Sequence, residues 1–282
     1  MMDIFLHPFE FEFFRNGTIV AVIVGGICGL IGVYIVLRGM SYIGHGLSHA
    51  IFGGAVVAFV MSWNFYLGAG LWGFAAAVMI NQTVRRTKIN ADAAIGVITT
   101  ASFAIGVALI SRYRRFTQSF DAALFGNILG VTTQDLWVVA GVALLIIVAI
   151  FFVYKQLLFV TFDSEVARVY GVKTEWIDTL FALILASALI ASMQILGVTL
   201  IAAALVIPAI SARLLTDSFN RMIILSTLIG AVTGFIGMYL SFYIDIASGA
   251  SIVLLQAGIF GLALIISSLR KHASQRLMHT HL

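Results

Sequence analysis

Long apolar segments follow one another along almost the whole chain, and this repetition constrains the fold more than any single motif does. Of the 282 residues, 61% are hydrophobic and only 10% are charged, whereas a soluble domain has about 45–50% apolar and about 25% charged residues. An apolar helix of about 20 residues spans the hydrocarbon core of a bilayer. We therefore predict an all-α, polytopic transmembrane helix bundle that forms one domain over residues 1–282, with a membrane core over 16–271 and a tail over 272–282.

One apolar stretch leaves the number of spans open. Residues 178–212 are too long for a single span of about 20 residues, and Gln194 and Gly197 indicate a break inside them. The other predicted spans cover 17–37, 42–62, 67–84, 92–111, 134–154, 222–244 and 250–269. The bundle is thus expected to have eight or nine spans, depending on whether the broken stretch counts once or twice.

The basic residues indicate the orientation, because positively charged loops prefer the cytoplasmic side of a membrane. With nine spans and an outside N-terminus, most of the 16 lysines and arginines are cytoplasmic. These are Arg38, Arg85, Arg86, Lys88, Lys155, Arg168, Lys173, Arg213, Arg221, Arg270, Lys271 and Arg276. The opposite orientation would place all of them outside, so we predict a cytoplasmic C-terminus.

The sequence lacks the motifs that are typical of several functional classes. No G-x-x-x-x-G-K-[ST] phosphate loop occurs, so ATP-driven transport would need a separate ATPase chain. Neither G-x-S-x-G nor H-E-x-x-H occurs, and Ser48 and His49 point about 100° apart on a helix, so an intramembrane hydrolase is a minor alternative. The cations lie in short loops rather than on one basic face, which does not indicate nucleic-acid binding. We expect a protein that is not an enzyme and has no permanently bound cofactor.

A polar face interrupts the second apolar segment. His45, Ser48 and His49 are spaced i, i+3 and i+4, so they share one side of a helix. Polar groups at membrane depth are costly unless they meet protein, water or an ion. One interpretation is that these side chains contact a metal or substrate. The other is that they bond backbone carbonyls and hold helices together.

A charged stretch over 155–177 separates the fifth span from the broken segment. Val166, Val169 and Tyr170 keep helical spacing within it, which predicts a short amphipathic helix that ends at Gly171. This helix either lies on the membrane surface or docks a soluble partner. The residues alone leave both interpretations open.

Five stretches together resemble the permease subunits of bacterial ATP-binding cassette (ABC) importers for manganese, zinc and related divalent metals. They are LRGMSYIGHGLSHAIFGG (37–54), KINADAAIGVITTASFAIGV (88–107), LLFVTFDSEVARVYGV (157–172), LGVTLIAAALVIPAISARLL (196–215) and ASGASIVLL (247–255). DAAIG, FD-x-E-x-A-x-x-x-G and LVIPA occur in this order and at the family's spacing. The resemblance extends over nearly the whole chain.

The resemblance implies the partners and the roles of particular residues. It implies a homodimer, a cytoplasmic ATPase subunit on each protomer and an extracytoplasmic metal-binding protein, in the inner membrane of a bacterium. Asp163, Glu165, Ala167 and Gly171 match the family's coupling helix, which contacts the ATPase. His45, Ser48 and His49 match its metal path. The expected function is uptake of zinc, manganese or iron by alternating access.

The sequence departs from the family pattern at one position of the metal path. The family has D-x-x-S-H, whereas this chain has H-x-x-S-H with His45 in place of the acid. Imidazole suits Zn²⁺ and Fe²⁺ better than Mn²⁺, which prefers oxygen ligands. We therefore expect zinc rather than manganese.

An alternative function stays open. Instead of an importer subunit, the chain would be an ATPase-independent secondary metal carrier or a metal-regulated scaffold.

The C-terminal tail also has two interpretations. It contains His272, His279 and His281, which either bind metal or belong to a frayed terminus.

Overall fold

The computed structural model describes residues 7–113, 124–126 and 130–279, without the side chains of 194 and 271–279. Every long element in these ranges is an α-helix. In chain order they are α1 (Glu12–Leu37), α2 (Ser41–Val60), α3 (Phe65–Arg86), α4 (Ala91–Tyr113), α5 (Thr133–Phe162), α6 (Ser164–Val169), α7 (Thr174–Leu196), α8 (Ile201–Leu215), α9 (Phe219–Ile244) and α10 (Ser248–His279). The all-α bundle predicted from the apolar segments is confirmed.

Charged residues gather at one end of the bundle, which we call the charged end. Arg38, directly after α1, pairs with Asp178 in the first turns of α7. Arg85 at the end of α3 pairs with Glu175, also at the start of α7. Arg270 in α10 donates to the carbonyl oxygen of the last residue of α8. The ends of α1, α3 and α8 and the start of α7 therefore lie together.

Polar contacts at the opposite end join the starts of other helices. Asn16 of α1 donates to the Thr133 hydroxyl at the start of α5. Tyr66 at the start of α3 donates to Asp135 of α5. Neighbouring helices in sequence therefore run in opposite directions, and the described helices pass along the bundle nine times.

Eight of these passes are made by helices long and apolar enough to cross a membrane. The ninth, α8, has 15 residues and spans only about 22 Å. The predicted break in the long apolar stretch is confirmed at Gly197, where α7 ends with a positive φ of 72°. The stretch consists of one full-length helix and one shorter helix.

Glycines bring α1 and α9 into close contact. The sequence predicts close packing at Gly25 and Gly29, which are four residues apart. A Cβ at Gly25 would overlap the carbonyl oxygen of Gly230, and one at Gly29 would overlap that of Ser226. The predicted packing face is confirmed, with α9 as its partner.

The helix boundaries differ from the predicted spans where polar residues continue a helix. Helix α5 extends through Phe162, beyond the predicted limit at 154. Helix α10 continues to His279, past the predicted core limit at 271. The side chains of the C-terminal histidines lie outside the described part of the chain.

Candidate functional site

The two histidines of α2 lie against each other. The Nε2 atoms of His45 and His49 are 3.3 Å apart, and their rings meet edge to face with centroids separated by 4.6 Å. Both side chains are half-buried. The Nδ1 atom of His49 is buried and has no hydrogen-bond partner. One imidazole pair therefore presents adjacent nitrogens at a partly open surface, and imidazole nitrogen is a common donor to transition metals.

Ser48 has a different environment from the histidines. Its buried hydroxyl lies 2.8 Å from the carbonyl oxygen of His45 and 3.1 Å from that of Val198, and it donates its proton to these oxygens. Val198 belongs to the link between α7 and α8. Ser48 thus bonds backbone carbonyls, which is the second of the two interpretations that the sequence allowed for this face. Its bond to Val198 connects α2 to the link between α7 and α8.

The break is buried at Gly197 and Val198 and exposed at Thr199, and hydroxyl side chains bond two carbonyl groups in and beside it. Ser248 donates to the carbonyl oxygen of Ile195 at 2.8 Å, and Ser48 serves Val198. A Cβ at Gly197 would overlap the carbonyl oxygen of Leu124. Non-helical backbone at membrane depth is tolerated where protein surrounds it, and these contacts supply that protein.

Helix α4 places an aromatic ring against the histidine pair and a threonine beside Gly46 of α2. The Phe103 ring meets the His49 ring edge to face, with a centroid distance of 4.9 Å. Thr99 bonds its own helix through the carbonyl oxygen of Ile95. Within the described residues, no group of three or more His, Cys, Asp or Glu side chains is placed to hold a metal. The described residues thus bring two imidazoles together without a third side chain of these types.

The predicted amphipathic helix is present as α6, and its residues divide into a frame and an exposed surface. Asp163 caps the helix by accepting bonds from the backbone amides of Glu165 and Val166 at 3.1 and 2.9 Å. Ala167 is fully buried, and Gly171 ends the segment with a φ of 81°. Asp163, Ala167 and Gly171 therefore shape the turn of chain, while Glu165 remains exposed.

Two large side chains of this segment are strongly exposed although they are mostly apolar. Val169 and Tyr170 are 85% and 76% exposed. Large apolar groups at the charged end need a covering surface or the membrane interface. The spacing of these residues predicted the helix. The structure adds that they are exposed, whereas other residues cap the segment and fix its shape.

Sequence reasoning missed a buried charged cluster beside α6. The Arg38 side chain is only 8% exposed and contacts Asp178, Thr161 and the Phe181 ring. Burial lowers the pKa of the Arg38 guanidinium from its ordinary value, and the Asp178 carboxylate acts in the opposite direction. The sequence signals that could have indicated this pair were an arginine directly after one span and an aspartate at the start of another.

A bundle of apolar helices with nine alternating passes, a buried helix break and a half-open imidazole pair defines a polytopic membrane transport protein. The family model described as "ABC 3 transport family" matches residues 10–267. The chain belongs to this family. It is therefore a multi-pass transport permease of the ATP-binding cassette class.

Curated relatives match over most of their length. The chain is 36% identical over 258 residues to "Manganese transport system membrane protein MntC" of Halalkalibacterium halodurans, covering 92% of this chain and 88% of the relative. It is 34% identical to "Manganese import system permease protein ScaB" of Streptococcus gordonii, covering 95% and 96%. A "Probable iron transport system membrane protein" of Haemophilus influenzae is also 34% identical, with coverage of 95% and 94%.

Solved structures have the same architecture. "PsaBC from Streptococcus pneumoniae in complex with Fab" superposes with a TM-score of 0.84 at 33% identity and covers 93% of this chain and 95% of that one. A putative metal-chelate type ABC transporter in an inward-facing conformation has a TM-score of 0.69 at 18% identity, covering 89% and 85%. The second similarity supports the fold alone.

Proposed function

We propose that this permease imports a divalent transition metal by alternating access, with ATP hydrolysed on a separate subunit. The observation that carries the proposal is the His45–His49 pair, whose Nε2 atoms are 3.3 Å apart on a half-buried face of α2. Two neutral imidazoles can bind a dication, but unlike a carboxylate they supply no negative charge that would hold it more tightly. Such a site suits transport, because a transported ion must leave as well as bind.

The remaining coordination positions fit a transient complex. Ser48 directs its hydroxyl to backbone carbonyls, so the imidazoles are the main ligands that α2 supplies. Water or the same face of a second copy would complete the coordination in a homodimer. The metal is the cargo of this site rather than a permanent cofactor.

The choice of metal rests on two kinds of support. Relatives are named for manganese and for iron, and Fe²⁺ accepts imidazole ligands readily. The pair of imidazoles also suits Zn²⁺ and favours Zn²⁺ or Fe²⁺ over Mn²⁺. We propose zinc, iron or manganese as the substrate, with zinc expected from the ligands.

Helix α6 is proposed to dock the ATPase subunit at the charged end. Val169 and Tyr170 would enter an apolar cleft of the ATPase, with Glu165 at its border, while Asp163, Ala167 and Gly171 hold the shape. The charged end is then cytoplasmic, as the basic residues predict, and the protein lies in the inner membrane of a bacterium. An extracytoplasmic metal-binding protein would deliver the metal at the opposite end.

The test is metal uptake into proteoliposomes that contain this chain with its ATPase and binding protein. Radioactive zinc, iron and manganese are offered separately, with and without ATP. We expect ATP-dependent uptake that falls by at least about tenfold when His45 and His49 are both replaced by alanine. His7→Ala is the control, because His7 is exposed outside the long helices.

Two results would contradict parts of the proposal. If the double alanine variant keeps both uptake and metal preference, the imidazoles are not ligands. If uptake proceeds at the full rate without any ATPase, the chain is a secondary carrier.

A further inference from the structure

A buried arginine joins three parts of the bundle at the charged end. The Nη1 atom of Arg38 lies 2.9 Å from Asp178 Oδ1, and its Nε donates to the Thr161 hydroxyl at 3.0 Å. The guanidinium carbon lies 4.6 Å from the centre of the Phe181 ring. Arg38 thus connects the α1–α2 link with the end of α5 and the start of α7.

These contacts flank the coupling helix in sequence. Thr161 lies in the last turn of α5, directly before the Asp163 cap of α6. Asp178 and Phe181 lie in the first turns of α7, which follows α6. A displacement of α6 therefore moves both sides of the pocket that holds Arg38.

Arg38 also lies at the start of the helix that carries the histidines. Gly39 and Met40 are the only residues between Arg38 and α2. Gly39 has a φ of 65°, and the backbone amides of Gly39 and Met40 donate to the carbonyl oxygens of Val36 and Ile35, so the link is held to the last turn of α1. The regular backbone bonds of α2 then carry a movement of its first turn to His45.

A contribution to stability does not explain why the charged Arg38 side chain is buried. Removing a guanidinium from water costs several kcal/mol, and a buried ion pair often contributes no more than an apolar pair of the same size. Here the compensation is incomplete, because Arg38 Nη2 is buried without a partner and the Asp178 side chain is 37% exposed. The pair is therefore incompletely satisfied in this arrangement, and one of its partners reaches the solvent.

We propose that the Arg38 cluster, formed by Arg38, Thr161, Asp178 and Phe181, transmits movements of α6 to the histidine-bearing helix α2. Arg38 acts as a positioning residue, because it does not contact the imidazoles. The inference rests on the proposed function of α6 as the ATPase-docking helix. Energetic coupling between sites requires an element whose arrangement both sites bias, and the Arg38 pocket is that element.

The experiment measures metal uptake and ATP hydrolysis in the same reconstituted complex of permease, ATPase and binding protein. The variants are Arg38→Met, which keeps an unbranched but shorter side chain and removes the charge, Arg38→Lys, Asp178→Asn, and Arg38→Met combined with Asp178→Asn. The control is Arg85→Met, which breaks an exposed ion pair of 3.2 Å at the same end of α7. Rates are divided by the amount of assembled complex, so that poor folding does not affect the ratio.

We expect Arg38→Met to lower the ratio of metal imported to ATP hydrolysed by about tenfold. Arg38→Lys should restore part of the ratio, because an ammonium pairs with Asp178 but lacks the planar fork. The double variant should lose no more than Arg38→Met alone, since both residues act through one interaction. Arg85→Met should leave the ratio unchanged. An unchanged ratio in Arg38→Met and Asp178→Asn would overturn the proposal.

A second measurement does not require transport. Hydrogen exchange of the peptide that covers residues 41–49 is compared with and without ATP in a complex whose ATPase binds but does not hydrolyse ATP. We expect a nucleotide-dependent change in the unmodified chain and none in Arg38→Met. If the unmodified complex shows this change but imports no metal, the substrate assignment fails while the mechanical link stands. A nucleotide-dependent change that persists in Arg38→Met would refute the link.

Discussion

Three polar residues on one face of α2 have two different environments. His45 and His49 contact each other through their Nε2 atoms, whereas the Ser48 hydroxyl binds the carbonyl oxygens of His45 and Val198. The spacing in the sequence placed all three on the same face but did not distinguish their partners. The histidines are therefore the residues at which substitutions should change metal preference.

Replacing His45 by aspartate should shift the preference toward manganese. The carboxylate supplies a hard oxygen ligand and a negative charge, both of which suit Mn²⁺. We expect the ratio of manganese to zinc uptake to rise by about tenfold or more, since this corresponds to about 1.4 kcal/mol of differential binding. Competition between the two radioactive metals in proteoliposomes measures the ratio.

His45→Asn is the matched control for this prediction. Asparagine has nearly the same shape as aspartate but lacks the charge, so it should not raise the ratio. Equal ratios in the aspartate, asparagine and unmodified proteins would show that position 45 does not select the metal.

At the scale of elements, the contact between α1 and α9 depends on backbone proximity. Gly25 faces Gly230 and Gly29 faces Ser226 so closely that a side chain on either glycine would meet a carbonyl oxygen. Helices in lipid lack a hydrophobic driving force for association, so close packing of small residues supplies much of the attraction. The adjacent Gly26 provides a direct comparison, because its nearest neighbour would be 3.8 Å from an added Cβ.

Gly25→Ala should destabilise the protein, whereas Gly26→Ala should not. The methyl group at position 25 forces the two helices apart, with an expected loss of about 1–3 kcal/mol. At position 26 it fits ordinary van der Waals space, and alanine is the better helix former by about 0.5–1 kcal/mol. Thermal unfolding in detergent, followed by intrinsic fluorescence, compares the two midpoints. Equal midpoints would mean that the α1–α9 contact does not limit stability.

At the scale of the whole molecule, α7 and α8 decide the topology. Helix α7 begins at the charged end, and α8 returns to that end, where Arg270 donates to the carbonyl oxygen of Leu215. The described helices therefore make nine passes, although only eight of them have the usual length of a membrane span. With nine passes, α6 and the α8–α9 link lie on the same side of the membrane.

Labelling of single cysteines tests this arrangement. The background is Cys28→Ser, which removes the one native cysteine, a buried residue. Cysteines replace Trp63, Val169 and Asp217 one at a time, all at exposed positions. In intact cells a membrane-impermeant maleimide should label position 63 but neither 169 nor 217.

Lysed cells that do not express the ATPase are the control, because all three positions should then react. Eight spans would instead place position 217 on the same side as position 63, so labelling of both in intact cells would contradict the nine-pass topology. Labelling of positions 169 and 217 but not 63 would mean that the whole orientation is inverted.

Much of the architecture was predictable because the membrane restricts it. Segments of about 20 apolar residues must be helices, since lipid offers no partner for free backbone groups. Gly197 was identified as a break, and the spacing of Val166, Val169 and Tyr170 identified α6. Boundaries were less accurate, because α5 continues through polar residues to Phe162 without a helix breaker.

The sequence by itself determined the helical class, the positions of the long spans, the shared face of His45 and His49, and the short amphipathic helix. These properties depend on residues close together in the chain, whose periodicity and hydropathy act locally. Only the tertiary structure decided that Ser48 holds the α7–α8 link, that Gly25 meets Gly230 and that Arg38 lies in a pocket of α5 and α7. Those contacts join residues far apart in sequence, and the packing of whole helices selects them among many possible pairs.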